Sequence, residues 1–121
     1  MKTLIVSLKS SGEVLKGFER ALTHARAGKL KKPHYEISFD NRKDFERFVR
    51  NISVLSTILA LKPRSVYELA KLSRMDVSNM NKLILFFEEL GAVHLKTSTV
   101  NGRTVKQPIV EYQRIEFDLA A

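Results

Sequence analysis

Residues 78–82 hold the side chains of this sequence whose types and spacing are best suited to chemistry. They are short or cationic hydrogen-bonding residues: Ser78, Asn79, Asn81 and Lys82. An asparagine amide can donate to and accept from an adenine edge at once, and a serine hydroxyl can bond to a base or a phosphate. A lysine ammonium is suited to a phosphate oxygen. We therefore expect these residues to contact the major groove of double-stranded DNA, provided that a helix carries them there.

Two short helices joined by a tight turn are predicted to position these residues. Ser65 and Glu68 have the spacing of a capping box, which indicates a helix start at Ser65. Asp76 is suited to cap a second helix, and Gly91 is suited to end it. That helix would bury Met80 and its helically spaced apolar neighbours Leu83 or Ile84, Phe87 and Leu90. Two short helices with such a turn are the plan of a helix-turn-helix.

A β-hairpin is predicted directly after the second helix. Asn101-Gly102 lies between two β-prone runs, and a type I′ turn needs positive φ at both central residues. Its cationic side chains, suited to the flanking DNA backbone or to the minor groove, are Lys96, Arg103 and Lys106. A basic hairpin after a recognition helix predicts a wing. Arg64 and Ser65, at the start of the first helix, are also expected to contact phosphate.

The remaining elements predict an α+β fold, a winged helix-turn-helix with an N-terminal strand-helix-strand extension. Alternating apolar residues indicate strands near residues 3–8 and 35–39 and a C-terminal strand with Ile115, Phe117 and Leu119 inward. That last strand would pair with the N-terminal or the middle strand. Helices are predicted from Ser10 to Gly28 and from residue 41 to Lys62-Pro63, the latter breaking near Asn51. We therefore expect an extension over 1–40 and a DNA-binding domain over 41–121.

Charge and composition favour binding over catalysis. The net charge is +8, the chain has no cysteine, and its three histidines are scattered. No metal-ligand spacing, phosphate-binding glycine loop or nucleophile motif is present. We expect no enzymatic activity, no metal and no cofactor. No apolar run approaches the ~20 residues of a membrane span, so a cytoplasmic protein is expected.

A basic cluster in the N-terminal third is open to two interpretations. Most of the excess charge lies within residues 1–32, which include Arg26, Lys29, Lys31 and Lys32. The cluster is either a solvated linker or a docking site for DNA backbone or an acidic partner. The extension that carries it is expected to form a homodimer or to bind a protein partner.

Several runs of the sequence resemble a family of small prokaryotic winged-helix predicted transcriptional regulators related to MarR-type proteins. The runs are Lys62-Pro63-Arg64-Ser65-Val66-Tyr67-Glu68-Leu69-Ala70-Lys71-Leu72, Arg74-Met75-Asp76-Val77-Ser78-Asn79-Met80-Asn81, Phe87-Glu88-Glu89-Leu90-Gly91 and the ending Ile115-Glu116-Phe117-Asp118-Leu119-Ala120-Ala121. The resemblance implies a DNA-binding regulator, and some members look like antitoxins encoded beside a small toxin. Relatives tend to carry glycine in the turn, where this chain has Ser73-Arg74.

These observations predict a sequence-specific DNA-binding transcriptional regulator, an autorepressor that acts as a dimer. The alternative is an antitoxin or adaptor whose main role is to bind and neutralise a small toxin-like protein. A third option, RNA binding, is disfavoured because exposed aromatic residues for base stacking are sparse. Leu85 and Phe86 lie off the predicted buried stripe, and they would either close the core against the wing or form a dimer interface.

Overall fold

The computed structural model describes residues 2–8 and 35–119. These residues form a mixed α+β structure, which confirms the predicted class. In chain order the elements are β1 (Thr3–Leu8), β2 (Tyr35–Phe39), α1 (Arg42–Arg50), α2 (Ile52–Leu61), α3 (Val66–Leu72), α4 (Val77–Leu90), β3 (His94–Val100), β4 (Arg103–Ile109) and β5 (Arg114–Asp118). The helix predicted between Ser10 and Gly28 lies outside the described residues.

The described chain divides into two compact units. The first contains residues 2–8, 35–47 and 114–119, and the second contains residues 48–113. The division falls within α1, whereas the sequence analysis placed a domain boundary at residue 40. The C-terminal strand belongs with the N-terminal strands in the first unit.

The first unit is built on a three-stranded parallel sheet with the order β2-β1-β5. β1 lies in the centre of this sheet, and its Leu4 and Val6 side chains are almost fully buried. In the register of the sheet, Val6 pairs with Ile37 on one side and with Phe117 on the other. The sequence predicted that the C-terminal strand pairs with either the N-terminal or the middle strand. The structure shows that it pairs with the N-terminal strand, β1.

The predicted inward face of the C-terminal strand is only partly correct. Ile115 is half-buried, but Phe117 is 39% exposed and Leu119 is 87% exposed. Among the described strands, β5 is at the edge of the sheet and pairs with β1 only, and Leu119 lies beyond its last residue. Phe117 still packs edge-to-face against Phe45, with ring centroids 6.1 Å apart. Strict alternation therefore identified the strand but overstated its burial.

The predicted helix break at Asn51 is confirmed, because α1 ends at Arg50 and α2 begins at Ile52. The second predicted end is also correct. Lys62 adopts a left-handed conformation with φ 47°, and its backbone N–H donates to the Ile58 carbonyl at 3.1 Å. Pro63 follows and prevents the helix from continuing.

The core of the second unit joins its helices. Phe48 packs edge-to-face against Phe87 of α4, with ring centroids 5.7 Å apart. Ala70 of α3 and Met80 of α4 are fully buried, as a close approach of the two helices requires. Leu83 and Ile84 are both buried, and Leu90 is half-buried. The predicted apolar stripe of α4 therefore faces the core.

The hairpin β3–β4 follows α4, and its predicted turn is confirmed. Val100 pairs with Arg103, which leaves a two-residue loop. Asn101 and Gly102 have φ values of 51° and 77°, the positive values that a type I′ turn needs. The local sequence thus sets the register of the hairpin.

Within residues 2–8 and 35–119, no helix is both long and apolar enough to cross a membrane.

Candidate nucleic-acid interface

The start of α3 is held by two side chains rather than one. The Ser65 hydroxyl oxygen accepts a hydrogen bond from the Glu68 backbone N–H at 3.0 Å, which confirms the first half of the predicted capping box. The second half differs from the prediction. The Glu68 Oε1 atom accepts from the backbone N–H of Arg64 at 3.1 Å, one residue before Ser65.

Glu68 also fixes the Arg64 side chain. Its Oε2 atom accepts from Arg64 Nη2 at 2.9 Å and from Nε at 3.1 Å. These hydrogen bonds stabilise the carboxylate and lower the pKa of Glu68 below its ordinary value. The Arg64 side chain nonetheless remains 62% exposed. The guanidinium is therefore oriented by the pair and still open to a ligand.

An open groove of about 680 Å³ lies between α3 and the hairpin tip. Three cationic residues line it, namely Arg64, Lys71 and Arg103, and Glu68 is the single acidic residue in its lining. We call these three residues the groove cations. Lys71 is held in place because its Nζ atom lies 5.0 Å from the centroid of the Tyr67 ring. The arrangement gathers positive charge from two elements around one surface.

Lys71 and Tyr67 are site residues that the sequence analysis missed. Both belong to the predicted first helix, and they are four residues apart, a spacing that brings side chains together on a helix. Lys71 could therefore have been identified from its helical spacing, since it follows Tyr67 by four residues and Glu68 by three. Arg103 joins them only because the hairpin folds back toward α3.

Helix α4 presents its predicted polar residues to solvent. Asp76 caps the helix, and its Oδ2 atom accepts from the Asn79 backbone N–H at 3.2 Å, as predicted. All four predicted contact residues are exposed: Ser78, Asn79, Asn81 and Lys82. Since successive helical residues rotate by about 100°, Asn79 and Asn81 lie about 160° apart around the helix. The two amides cannot face the same point.

A cleft of about 370 Å³ separates α4 from the hairpin and from the start of α3. Its lining is mostly apolar: Val66, Tyr67, Ile84, Leu85, Leu95 and Val105, with Ser65, Asn81 and Lys106 as polar members. Leu85 is 52% exposed and faces hairpin residues there, whereas Phe86 packs its ring against Phe87 at 5.7 Å. Ser65, Tyr67 and Val105 line both hollows, so the cleft and the groove adjoin.

The hairpin cations divide between its two faces. Side chains alternate along a strand, so Arg103 shares a face with Gln107 and Lys106 points to the other face. Lys96 pairs with Gln107 and lies on the Arg103 face. The Gln107 side chain donates to the Pro63 carbonyl at 3.4 Å and joins that face to the chain that leads into α3. Arg103 therefore lines the same groove as Arg64, whereas Lys106 does not line it.

The predicted partner-binding residues Arg26, Lys29, Lys31 and Lys32 lie outside the described residues. Their docking role stays a prediction.

One comparison with known proteins identifies a relationship for this chain. The family model HVO_A0114 matches residues 49–117, which is more than half of the sequence and includes the whole of α2, α3, α4 and the hairpin. No curated protein and no solved structure matches the chain.

Proposed function

The chain belongs to the HVO_A0114 family, and we propose that it is a DNA-binding transcriptional regulator whose second unit is a winged helix-turn-helix. One observation carries the proposal. The groove cations adjoin the cleft that Asn81 of α4 lines, and both hollows share Ser65 and Tyr67. Cations for the phosphate backbone and one amide suited to a base edge, that of Asn81, therefore lie on connected surfaces of one unit.

In this proposal α3 and α4 form the helix-turn-helix, and the β3–β4 hairpin is the wing. The N-terminal half of α4 enters the major groove, where Ser78 and Lys82 lie opposite its buried face. Asn79 and Asn81 flank them on either side, so each amide would read a different base pair. Arg103, Lys96 and Lys106 of the wing would bind backbone phosphates.

We further propose that a cytoplasmic homodimer represses its own gene. A twofold dimer presents two recognition helices, which suits a palindromic operator with half-sites one helical turn apart. A dimer also doubles the net charge of +8 and strengthens attraction to DNA.

The direct test is fluorescence anisotropy with a labelled duplex of about 25 base pairs from upstream of the gene, wide enough for two half-sites. A scrambled duplex of the same composition is the control, and both are titrated across a salt series. We expect tight binding to the native duplex and much weaker, non-specific binding to the scrambled one, both of them dependent on salt. Weak and equal binding to both would contradict sequence-specific regulation and favour the alternative of a protein partner.

Two variants separate base reading from backbone binding. Asn79→Ala should weaken binding to the native duplex by about 1–3 kcal/mol and leave the scrambled duplex unaffected, because a base contact is lost. Arg103→Ala should weaken binding to both duplexes alike. It should also reduce the salt slope, which is the slope of log K against log salt concentration, by about 0.9. Arg114→Ala removes the same charge from the first unit and is the matched control. If it lowered the slope as much as Arg103→Ala, the assignment of Arg103 to the interface would be wrong.

A further inference from the structure

Arg74, in the turn between α3 and α4, holds a backbone conformation that favours glycine. Its φ is 54°, in the left-handed region. The turn is closed by two backbone hydrogen bonds, from Met75 N–H to the Ala70 carbonyl at 2.9 Å and from Arg74 N–H to the Lys71 carbonyl at 3.2 Å. This pair of bonds is a Schellman motif, whose left-handed position is usually glycine. A side chain at that position carries a steric cost.

Nothing within residues 2–8 and 35–119 offsets this cost through the Arg74 side chain. The residue is exposed, and its side chain forms no hydrogen bond or ion pair in those ranges. Attraction between a cation and the carboxyl end of a helix could favour arginine, but Lys71 already provides a cation in the last turn of α3. Within the described residues, Arg74 is thus a strained, exposed cation whose side chain has no partner, and its place beyond the end of α3 makes it a candidate for contact with a ligand.

The length of α3 shows where that ligand would lie. The helix has seven residues, so it is about 10 Å long. Arg64 precedes its first residue and Arg74 follows its last by two positions, which places one cation beyond each end. The major groove of DNA is about 12 Å wide, with a phosphate backbone on each side. A helix of this length matches that width.

We propose that α3 spans the major groove, with Arg74 on the phosphate backbone of one wall and Arg64 on the other. This assignment rests on the proposed function, because it needs double-stranded DNA as the ligand. Arg74 lies three residues before the start of α4. It therefore acts as a positioning residue, which holds the reading end of α4 in register with the bases.

The test compares the stability and the DNA affinity of the same variants of the full chain. Arg74→Gly relieves the strained backbone, and we expect a melting temperature about 2–5 °C higher. The same variant loses one phosphate contact. Binding should become about eight-fold weaker at about 0.1 M salt on native and scrambled duplexes alike, with the salt slope lowered by about 0.9.

Three control variants isolate the cause. Arg74→Asn tolerates the left-handed backbone without the charge and should lose binding like Arg74→Gly, whereas Arg74→Lys should keep most of it. Lys62→Gly makes the same change at the end of α2, where φ is 47°. It should raise the melting temperature and leave the salt slope unchanged.

Each outcome decides between the two proposals. If the wild-type protein shows no salt-dependent binding to either duplex, the proposed function and the role of Arg74 both fail. If the wild type binds and Arg74→Gly binds with the same affinity and slope, only the role of Arg74 fails. A loss of slope in Lys62→Gly equal to that in Arg74→Gly would show a general charge effect and overturn the assignment to a groove wall.

Discussion

Helices α3 and α4 begin and end with the same hydrogen-bond patterns but differ in the residues at these positions. Each starts with a side-chain cap, Ser65 or Asp76, that accepts from the backbone N–H three residues later. Each ends with the same motif. The bonds that close α4 run from Ala92 N–H to the Phe87 carbonyl and from Gly91 N–H to the Glu88 carbonyl, both 2.9 Å.

The difference lies in the left-handed position and in what each helix contacts. Gly91 has φ 83° after α4, and Arg74 has φ 54° after α3. Helix α4 buries four large side chains, whereas α3 buries Leu69 and Ala70 and leaves Lys71 exposed to solvent. Backbone hydrogen bonds therefore determine the conformation at a helix end, while the side chain there reflects what that end must contact.

The largest expected effects test whether both helices depend on the shared core. Leu69 of α3 and Met80 of α4 are both fully buried. Replacing either by alanine should lower the free energy of unfolding by about 2–5 kcal/mol, because each leaves a cavity. Chemical denaturation followed by far-UV circular dichroism measures this. Ser78→Ala, on the exposed side of α4, should change it by less than about 0.5 kcal/mol. A similarly small loss in Met80→Ala would show that α4 does not need this contact.

The next effect contrasts the two helix ends directly. Gly91→Ala should destabilise the protein by about 1–2 kcal/mol, since a Cβ is disfavoured at positive φ. Arg74→Ala is the matched change, because a Cβ is already present there, and it should stay within about 0.5 kcal/mol. Equal losses at the two positions in the same denaturation experiment would remove the distinction between these ends.

The two helix starts should respond alike. Ser65→Ala and Asp76→Ala each remove a cap acceptor, and each should cost about 1 kcal/mol in the free energy of unfolding. Ser65→Asp and Asp76→Asn keep an acceptor at the cap and should restore most of that loss. A cap variant without any effect on thermal or chemical unfolding would mean that the start of that helix is held by other contacts.

The smallest effect concerns the third residue of each helix, which is Glu68 in α3 and Asn79 in α4. Because hydrogen bonds from Arg64 lower the pKa of Glu68, the folded state favours its carboxylate. This stabilisation is present above the pKa of the unfolded state and is lost as pH falls through the lowered folded value. Glu68→Gln should therefore slightly lower the melting temperature at neutral pH and match the wild type in acid.

The matched change in α4 is Asn79→Gln, which adds no titrating group. We expect its difference from the wild type to be independent of pH over the same range. A Glu68→Gln difference that persisted unchanged into acid would show that the ion pair with Arg64 is not its source.

Local sequence determined much of this protein, wherever an element depends on contacts within a few residues. The caps at Ser65 and Asp76, the stop at Gly91, the break at Asn51 and the Asn101-Gly102 turn all follow from short-range hydrogen bonds and φ preferences. Such interactions do not depend on distant parts of the chain, so the residue types alone were sufficient to predict them.

Only the tertiary structure decided the features that join distant residues. Three such features depend on how elements far apart in sequence pack. They are the pairing of β5 with β1, the exposure of Leu119, and the groove that Arg64, Lys71 and Arg103 line together. Periodicity shows which side of a strand is apolar, but not whether anything covers it. Charge counts show how many cations a hairpin carries, but the fold of the hairpin toward α3 determines which of them share a groove.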